Sequence, residues 1–424
     1  MNTYTRILSQ VNYTAFLALL VSLPFPIPFI RICWLVWAFT WLLEFRYLHR
    51  ANIRKNKSIL YLSIGVAVWL VWNLVSVFWA QNSAAVWASM ERYTSLLAIP
   101  LIGIWGVNER YDWKQCAKVL LASSLISVGV YMFTHFWVIN NLQALDKNRT
   151  DLIPIDWLHM EDLLMNIKHR MHYTNLLCLL VPCLVLLRKE LRLWHLIPAG
   201  IVLLAAIRMS GSRIALVNLL IVLAITLCYL IIRSRRKWMK PIGITLTVIA
   251  ILGIGFVGLY FHPRNAGLSL SEMMQVNESS DLPAFEPRFA IWQTALEQPS
   301  DYMAYGLGAG NASDYLQAHY ISHGWDHYAM RHFSPHNQYL AVCMELGLAA
   351  AILFVLFWLG IAFFVHGRQR YWALCTIGIC MCSMMIDLLL GGLEGIVFIN
   401  IAFILGLLLP QSETTGLQSD AKGE

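Results

Sequence analysis

Three polar clusters lie at the ends of apolar stretches in this chain, and their residue types could together carry out a group transfer. Each cluster contains at least one residue that keeps a charge, or exchanges a proton, near neutral pH. An arginine next to an apolar run is costly to insert, by about 2.5–3.5 kcal/mol at membrane depth, and it usually has a partner or a function. The clusters are RMSGSR, which ends at Arg213, EPRFAIW around Arg288, and SPHNQYL around His336.

These residue types suit the transfer of a group from a phosphate to an alcohol. Arginine binds phosphate oxygens in a bidentate manner and keeps its charge at any physiological pH. A histidine can accept the proton of an attacking hydroxyl. Simpler interpretations are open for each residue alone: Arg213 binding lipid headgroups, Arg288 pairing with Glu286, and His336 capping a helix.

A metal site is the competing interpretation, because four histidines crowd one segment of the chain. His319, His323 and His327 share one helical face if the segment is helical, and His332 follows. Gly324 interrupts that helix, and a compact pattern such as H-E-x-x-H is missing. We therefore predict no metal and no other cofactor.

The composition shows which elements must position these residues. The chain has 424 residues, of which 58% are hydrophobic and 13% charged, with a mean hydropathy of +0.59. Soluble domains carry roughly 25% charged residues. We predict an all-α integral membrane protein of about 12 transmembrane helices with one large, partly helical periplasmic loop. The apolar runs are 11–25, 28–45, 58–79, 92–106, 116–138, 171–187, 193–209, 212–232, 241–261, 336–365, 371–390 and 394–410.

The loop charges predict the orientation of the helices. Basic residues cluster at 46–57, 188–192 and 233–240, as the positive-inside rule expects of cytoplasmic loops. Arg213, Arg288 and His336 then share the outer side. The net charge of +7 is spread between apolar spans, so nucleic acid is not an expected partner. The predicted divisions are transmembrane helices 1–9 in 1–261, the large loop in 262–335, helices 10–12 in 336–410, and a disordered cytoplasmic tail in 411–424.

Further polar residues lie beside or within the predicted spans. Lys168, Arg170 and His172 lie at the outer entrance of the sixth span, where they could bind a second phosphate or anchor the helix. Asp387 and Glu394 lie in or between the last two spans, where a carboxylate is costly unless it is paired. We favour a bracing role for Glu394.

The order of these motifs resembles the O-antigen ligase/polymerase family of bacterial envelope glycan enzymes. The resemblance extends to the architecture, with about twelve spans and one large outer loop before the histidine-containing span. The matching features are the Ser210–Arg213 turn, Arg288 with Trp292 four residues on, the glycines 306, 308 and 310, and HNQYL at 336–340.

The resemblance implies the transfer of a glycan from undecaprenyl pyrophosphate to a hydroxyl of lipid A–core. The reaction is expected at the periplasmic face of the bacterial inner membrane, without a metal and with inversion of the anomeric centre. Arg213 and Arg288 would bind the pyrophosphate and stabilise its charge, and His336 would deprotonate the acceptor. Residues expected to bind substrate are Ser212, Asn337, Gly308, Gly310, Lys168, Arg170 and His172.

Other functions remain open at this point. An O-antigen polymerase or a protein O-oligosaccharyltransferase would use the same donor and the same arginines. A transporter of lipid-linked sugar is an alternative from another class, although it would favour charges at the midplane and repeated halves. The absence of an appended C-terminal domain and the single dominant outer loop favour the ligase.

Overall fold

A computed structural model describes residues 3–45, 57–106, 110–145, 170–210, 212–233, 245, 286–325, 328–329 and 332–409. Within these residues the protein is helical and contains no strand, which confirms the predicted all-α class. The predicted ninth span (241–261) and the tail lie almost wholly outside the described residues, and the predicted domain boundaries stay predictions.

The helices of the described part follow the predicted apolar runs closely. We number them α1 (Thr3–Ser22), α2 (Ile27–Glu44), α3 (Lys57–Val75), α4 (Ser83–Tyr93), α5 (Ala98–Trp105), α6 (Trp113–Leu145), α7 (Arg170–Leu187), α8 (Leu193–Met209), α9 (Arg213–Ile232), α10 (Glu286–Ala295), α11 (Ala312–Ser322), α12 (Gln338–Leu346), α13 (Leu348–Phe364), α14 (Gly367–Met384) and α15 (Leu393–Leu408).

Some of these helices are suited to crossing a membrane. Four are long and apolar enough by length and composition, and they are Ile27–Glu44, Ile59–Phe78, Trp113–Thr134 and Arg213–Ile232. Four shorter apolar helices accompany them within the described residues. Large apolar side chains are exposed along these helices, for example Leu35 at 67% and Leu356 at 54%, as a lipid-facing surface requires. The predicted total of about 12 spans stays a prediction.

The predicted span 336–365 is two helices, α12 and α13, separated by Gly347. Gly347 has φ +87°, and a Cβ at this position would lie 2.9 Å from the carbonyl oxygen of Ala304. The backbone N–H of Leu348 donates to the carbonyl of Met303 at 2.9 Å. The break therefore frees backbone groups that bind the preceding loop, which a hydrophobicity pattern does not reveal.

A buried polar triad joins α7, α9 and α14, and two of these helices lead to Arg213 and Asp387. Asn218 of α9 donates to Asn175 of α7 and to Ser383 of α14, each at 2.9 Å, and Ser383 donates to Asn175 at 3.0 Å. Arg213 begins α9, and the backbone N–H of Asp387 bonds to the Ser383 carbonyl at 3.1 Å. The triad thus sets the relative height of α9 and of the segment that follows α14.

The described part of the predicted outer loop has its own small core. Ile291 of α10, Tyr302, and Leu316 and Tyr320 of α11 are almost completely buried, together with Met344 of α12. The loop therefore packs on α12 and orders the segment that contains Arg288.

Candidate functional site

Arg213 lies on the first turn of α9, directly after a helix cap. The Ser212 hydroxyl accepts a hydrogen bond from the backbone N–H of Ala215 at 3.4 Å. The hydroxyl of Ser210 accepts from the N–H of Ser212 at 3.3 Å and donates to the carbonyl of Ile207 at 2.7 Å. The two serines therefore fold the turn and cap α9. These contacts account for Ser212 without a substrate contact, so its substrate-binding role stays a prediction.

Arg288 places a second guanidinium group near that of Arg213. It lies in the first turn of α10, close enough to Arg213 for the two charges to interact, and close to the Asp387 carboxylate. Burial lowers the pKa of Arg288, and Asp387 opposes that shift. Arginine starts from so high a pKa that the side chain stays charged. Two cations held together favour an anion between them.

His336 is paired with Asp387, which lies 51 residues further along the chain. The His336 Nδ1 lies 3.3 Å from the Asp387 Oδ1, and the two side chains are 30% and 17% exposed. Because a carboxylate only accepts hydrogen bonds, Nδ1 carries the proton and Nε2 becomes the acceptor. This arrangement is compatible with the predicted role of His336 as a general base.

The backbone around His336 is strained. His332 and His336 have φ of +48° and +46°, a region that residues other than glycine seldom adopt. The turn between them is tied to α10, because the Trp292 indole N–H donates to the Pro335 carbonyl at 3.0 Å. The element that carries Arg288 thus also supports His336.

Asp387 is positioned from several directions. Its Oδ1 accepts from the N–H of Leu388 at 2.8 Å. The N–H of Leu390 donates to the Gln338 side chain at 3.0 Å, and the Arg92 guanidinium donates to the Gly391 carbonyl at 2.9 Å. From the sequence, Asp387 was identified only as a carboxylate in need of a partner. Its partners among the described residues include the His336 imidazole and the nearby Arg288 guanidinium.

Asn337 caps the helix that follows His336. Its Oδ1 accepts from the backbone N–H groups of Tyr339 and Leu340, each at 3.0 Å. The predicted contact of Asn337 with substrate is thus not needed to explain this residue, since its oxygen is occupied by the cap. An asparagine before an apolar helix is a known start signal, so the sequence could have revealed this role.

The glycines 308 and 310 are packing residues in this structure. Their φ values are +94° and +78°, and a Cβ on Gly308 would lie 2.4 Å from the Ala80 Cβ. A Cβ on Gly310 would lie 2.6 Å from the Ala85 carbonyl oxygen. The missing side chains allow the loop to approach α4 and the residues just before it closely. The expected substrate-binding role of the two glycines stays a prediction.

Of the three predicted substrate-binding residues at the start of α7, only the side chain of His172 is described. Lys168 lies outside the described residues, as does the Arg170 side chain, although Arg170 begins α7. His172 is only 9% exposed and lies against α15, where a Cβ on Gly395 would be 3.0 Å from its imidazole. Glu394 is buried in the first turn of α15.

Two histidines of the alternative metal site make other contacts. His319 Nδ1 lies 2.9 Å from the Tyr315 carbonyl, and His323 Nε2 lies 2.8 Å from Glu297. His327 is outside the described residues. In the part of the chain that the structure describes, no group of three or more His, Cys, Asp or Glu could hold a metal ion.

Comparison with known proteins agrees with the order of the motifs. The family model described as O-antigen ligase matches residues 198–355, which include Arg213, Arg288 and His336. No curated protein matches the chain. Residues 198–355 of this chain are therefore similar to the O-antigen ligase family.

Proposed function

We propose that this chain transfers a glycan from undecaprenyl pyrophosphate to a hydroxyl of lipid A–core at the periplasmic face of the inner membrane. The observation that carries the proposal is the meeting of two guanidinium groups with an Asp-supported histidine, on elements far apart in sequence. The family match supports glycan transfer as the reaction class.

The arginines bind the leaving group in this proposal. A departing pyrophosphate accumulates negative charge as the bond from the anomeric carbon to oxygen breaks. Arg213 and Arg288 are both partly buried, so their charges are less screened than on an open surface. They stabilise the developing charge without a metal ion.

His336 prepares the nucleophile. The acceptor hydroxyl oxygen attacks the anomeric carbon while its proton passes to Nε2 of His336. The pyrophosphate leaves with the electron pair of the broken bond, and Asp387 stabilises the imidazolium that forms. A single displacement of this kind inverts the anomeric centre.

Purified protein in proteoliposomes, supplied with lipid-linked donor and lipid A–core, tests the proposal. We expect His336→Ala to reduce transfer by about 10²- to 10⁴-fold while donor binding is retained. Arg213→Ala and Arg288→Ala should weaken donor binding as well as turnover. His332→Asn is the matched control, because it changes a neighbouring histidine and asparagine accepts the same backbone conformation.

Three results would contradict the proposal. Full activity of His336→Ala would remove this residue from the chemistry. Loss of activity in excess chelator would favour metal catalysis. Transfer to another lipid-linked glycan or to a protein serine, with none to lipid A–core, would favour the polymerase or the protein O-oligosaccharyltransferase, and movement of donor without a new bond would favour a transporter.

A further inference from the structure

A row of aromatic rings leads through the predicted outer loop to His336. The ring centroids of Trp325 and Tyr328 are 5.5 Å apart, those of Tyr328 and Phe333 are 5.6 Å apart, and those of Phe333 and His336 are 6.1 Å apart. We call these four residues the aromatic ladder. Each of the four is partly exposed, so the ladder offers ring surface to the outside.

The ladder rests on a rigid base. Tyr320 of α11 is completely buried, and its ring lies 5.7 Å from Tyr328 and 6.4 Å from Trp325. His323 lies 5.2 Å from Trp325 and pairs with Glu297 just after α10. The rings are therefore held in place before a ligand arrives, which lowers the entropic cost of binding.

Partly exposed, fixed aromatic rings have the chemistry of a sugar-binding surface. The face of a pyranose ring presents C–H groups, and the hydroxyls point outward from its edge. The electron-rich face of an aromatic ring attracts such C–H groups, and the hydroxyls stay solvated. A row of rings can contact successive sugars of one chain.

We propose that the aromatic ladder binds the sugar chain of the acceptor and leads its reactive hydroxyl to His336. This proposal rests on the proposed function, in which His336 takes the acceptor proton and the arginines take the pyrophosphate. The ladder reaches the site at the histidine, since Phe333 packs edge-on against the His336 ring. The ladder therefore ends at the side chain that is proposed to activate the acceptor, and not at the arginines.

Steady-state kinetics in proteoliposomes test the ladder. We expect Trp325→Ala to raise the KM for lipid A–core about tenfold, with the KM for the donor and kcat at saturating acceptor within about twofold of wild type. Trp325→Tyr should restore most of the acceptor affinity, because it retains an aromatic face. Tyr305→Ala is the matched control, since Tyr305 is 78% exposed in the same loop and lies outside the ladder.

A second measurement separates the ladder from the reaction itself. The core oligosaccharide freed of its acyl chains is titrated against wild-type protein without donor, and saturation-transfer NMR reports which sugars contact aromatic protons. Weaker binding of the core oligosaccharide to Trp325→Ala than to wild type supports the ladder. If wild-type protein shows this binding but transfers nothing, the proposed function fails and the ladder stands. Active protein whose acceptor KM is unchanged in both Trp325→Ala and Phe333→Leu overturns the ladder and leaves the function intact. If Trp325→Ala lowers the midpoint of thermal unfolding, its acceptor KM no longer tests the ladder. The acceptor KM of Phe333→Leu then decides whether the ladder binds the acceptor.

Discussion

Two segments in and at the end of the predicted outer loop adopt positive φ angles, one at glycines and the other at histidines. In residues 306–310, three glycines have positive φ, and in residues 332–336, two histidines do. A Cβ on Gly306 would lie 2.3 Å from the backbone of Glu345, so glycine is sterically required there. Histidine already carries a Cβ and bears the strain of about 1–2 kcal/mol. Strained residues cluster at functional sites, so the positive φ of His336 is consistent with its proposed role.

The two segments also differ in what holds them. The glycine segment is held by its backbone: Leu307 donates to the Met344 carbonyl at 2.8 Å and Gly308 to the Glu345 carbonyl at 2.9 Å. The histidine segment is held by side chains, through Trp292 and Asp387. We therefore expect substitutions in the first segment to change stability, and those around the second to change catalysis.

Asp387→Asn should have the largest effect and should act on catalysis. An asparagine amide can donate to Nδ1 and thereby hold the wrong tautomer of His336, so we expect transfer to fall about 10²- to 10³-fold. Donor binding and the thermal unfolding midpoint should change little. Initial rates measure the effect, and Asp314→Asn, which changes an exposed carboxylate on α11, is the control. Equal rates in wild type and Asp387→Asn would show that the pair has no catalytic role.

Gly306→Ala should have the next largest effect and should act on folding. The new methyl group meets the backbone of α12 and the residue keeps a positive φ, so the free energy of unfolding should fall by about 3 kcal/mol or more. Gly324→Ala is the matched control. Its φ is +70° with nothing within 4 Å of the new Cβ, so only the strain of about 1 kcal/mol applies. Denaturation in detergent measures both, and equal losses would contradict the packing role of the glycine segment.

Asn337 separates a helix cap from a substrate contact. Asn337→Ala should lower the free energy of unfolding by about 1 kcal/mol, because the two N–H groups of α12 lose their acceptor. Asn337→Asp keeps that acceptor and should retain stability. If Asn337→Asp is stable but raises the donor or acceptor KM strongly, then the amide group does contact substrate as the sequence predicted.

Trp292→Phe should have the smallest effect. It removes one hydrogen bond to Pro335 and keeps a ring, for a cost of about 0.5–1.5 kcal/mol. We expect a decrease in kcat of less than about tenfold, because the turn that carries His336 becomes less firmly held. Trp87→Phe, at a tryptophan that is 57% exposed, is the control. A loss of activity as large as that of Asp387→Asn would mean that Trp292 contacts the reactants.

The sequence alone determined the helical class, the positions of most apolar helices, and the order of the three polar motifs around Arg213, Arg288 and His336. These features depend on local composition and on residue types at short spacing. They are visible in the sequence because a helix that buries apolar side chains needs those residues at neighbouring positions. The helix cap at Asn337 was also within reach, because capping involves residues only a few positions apart.

Only the tertiary structure decided which residues meet. The pairing of His336 with Asp387, the break at Gly347 and the triad around Asn218 join elements separated by long stretches of chain. Such contacts depend on how whole helices pack, and many sequences with the same apolar pattern would pack differently. The glycines show the same limit, because their purpose is visible only in the neighbouring atoms that leave no room for a side chain.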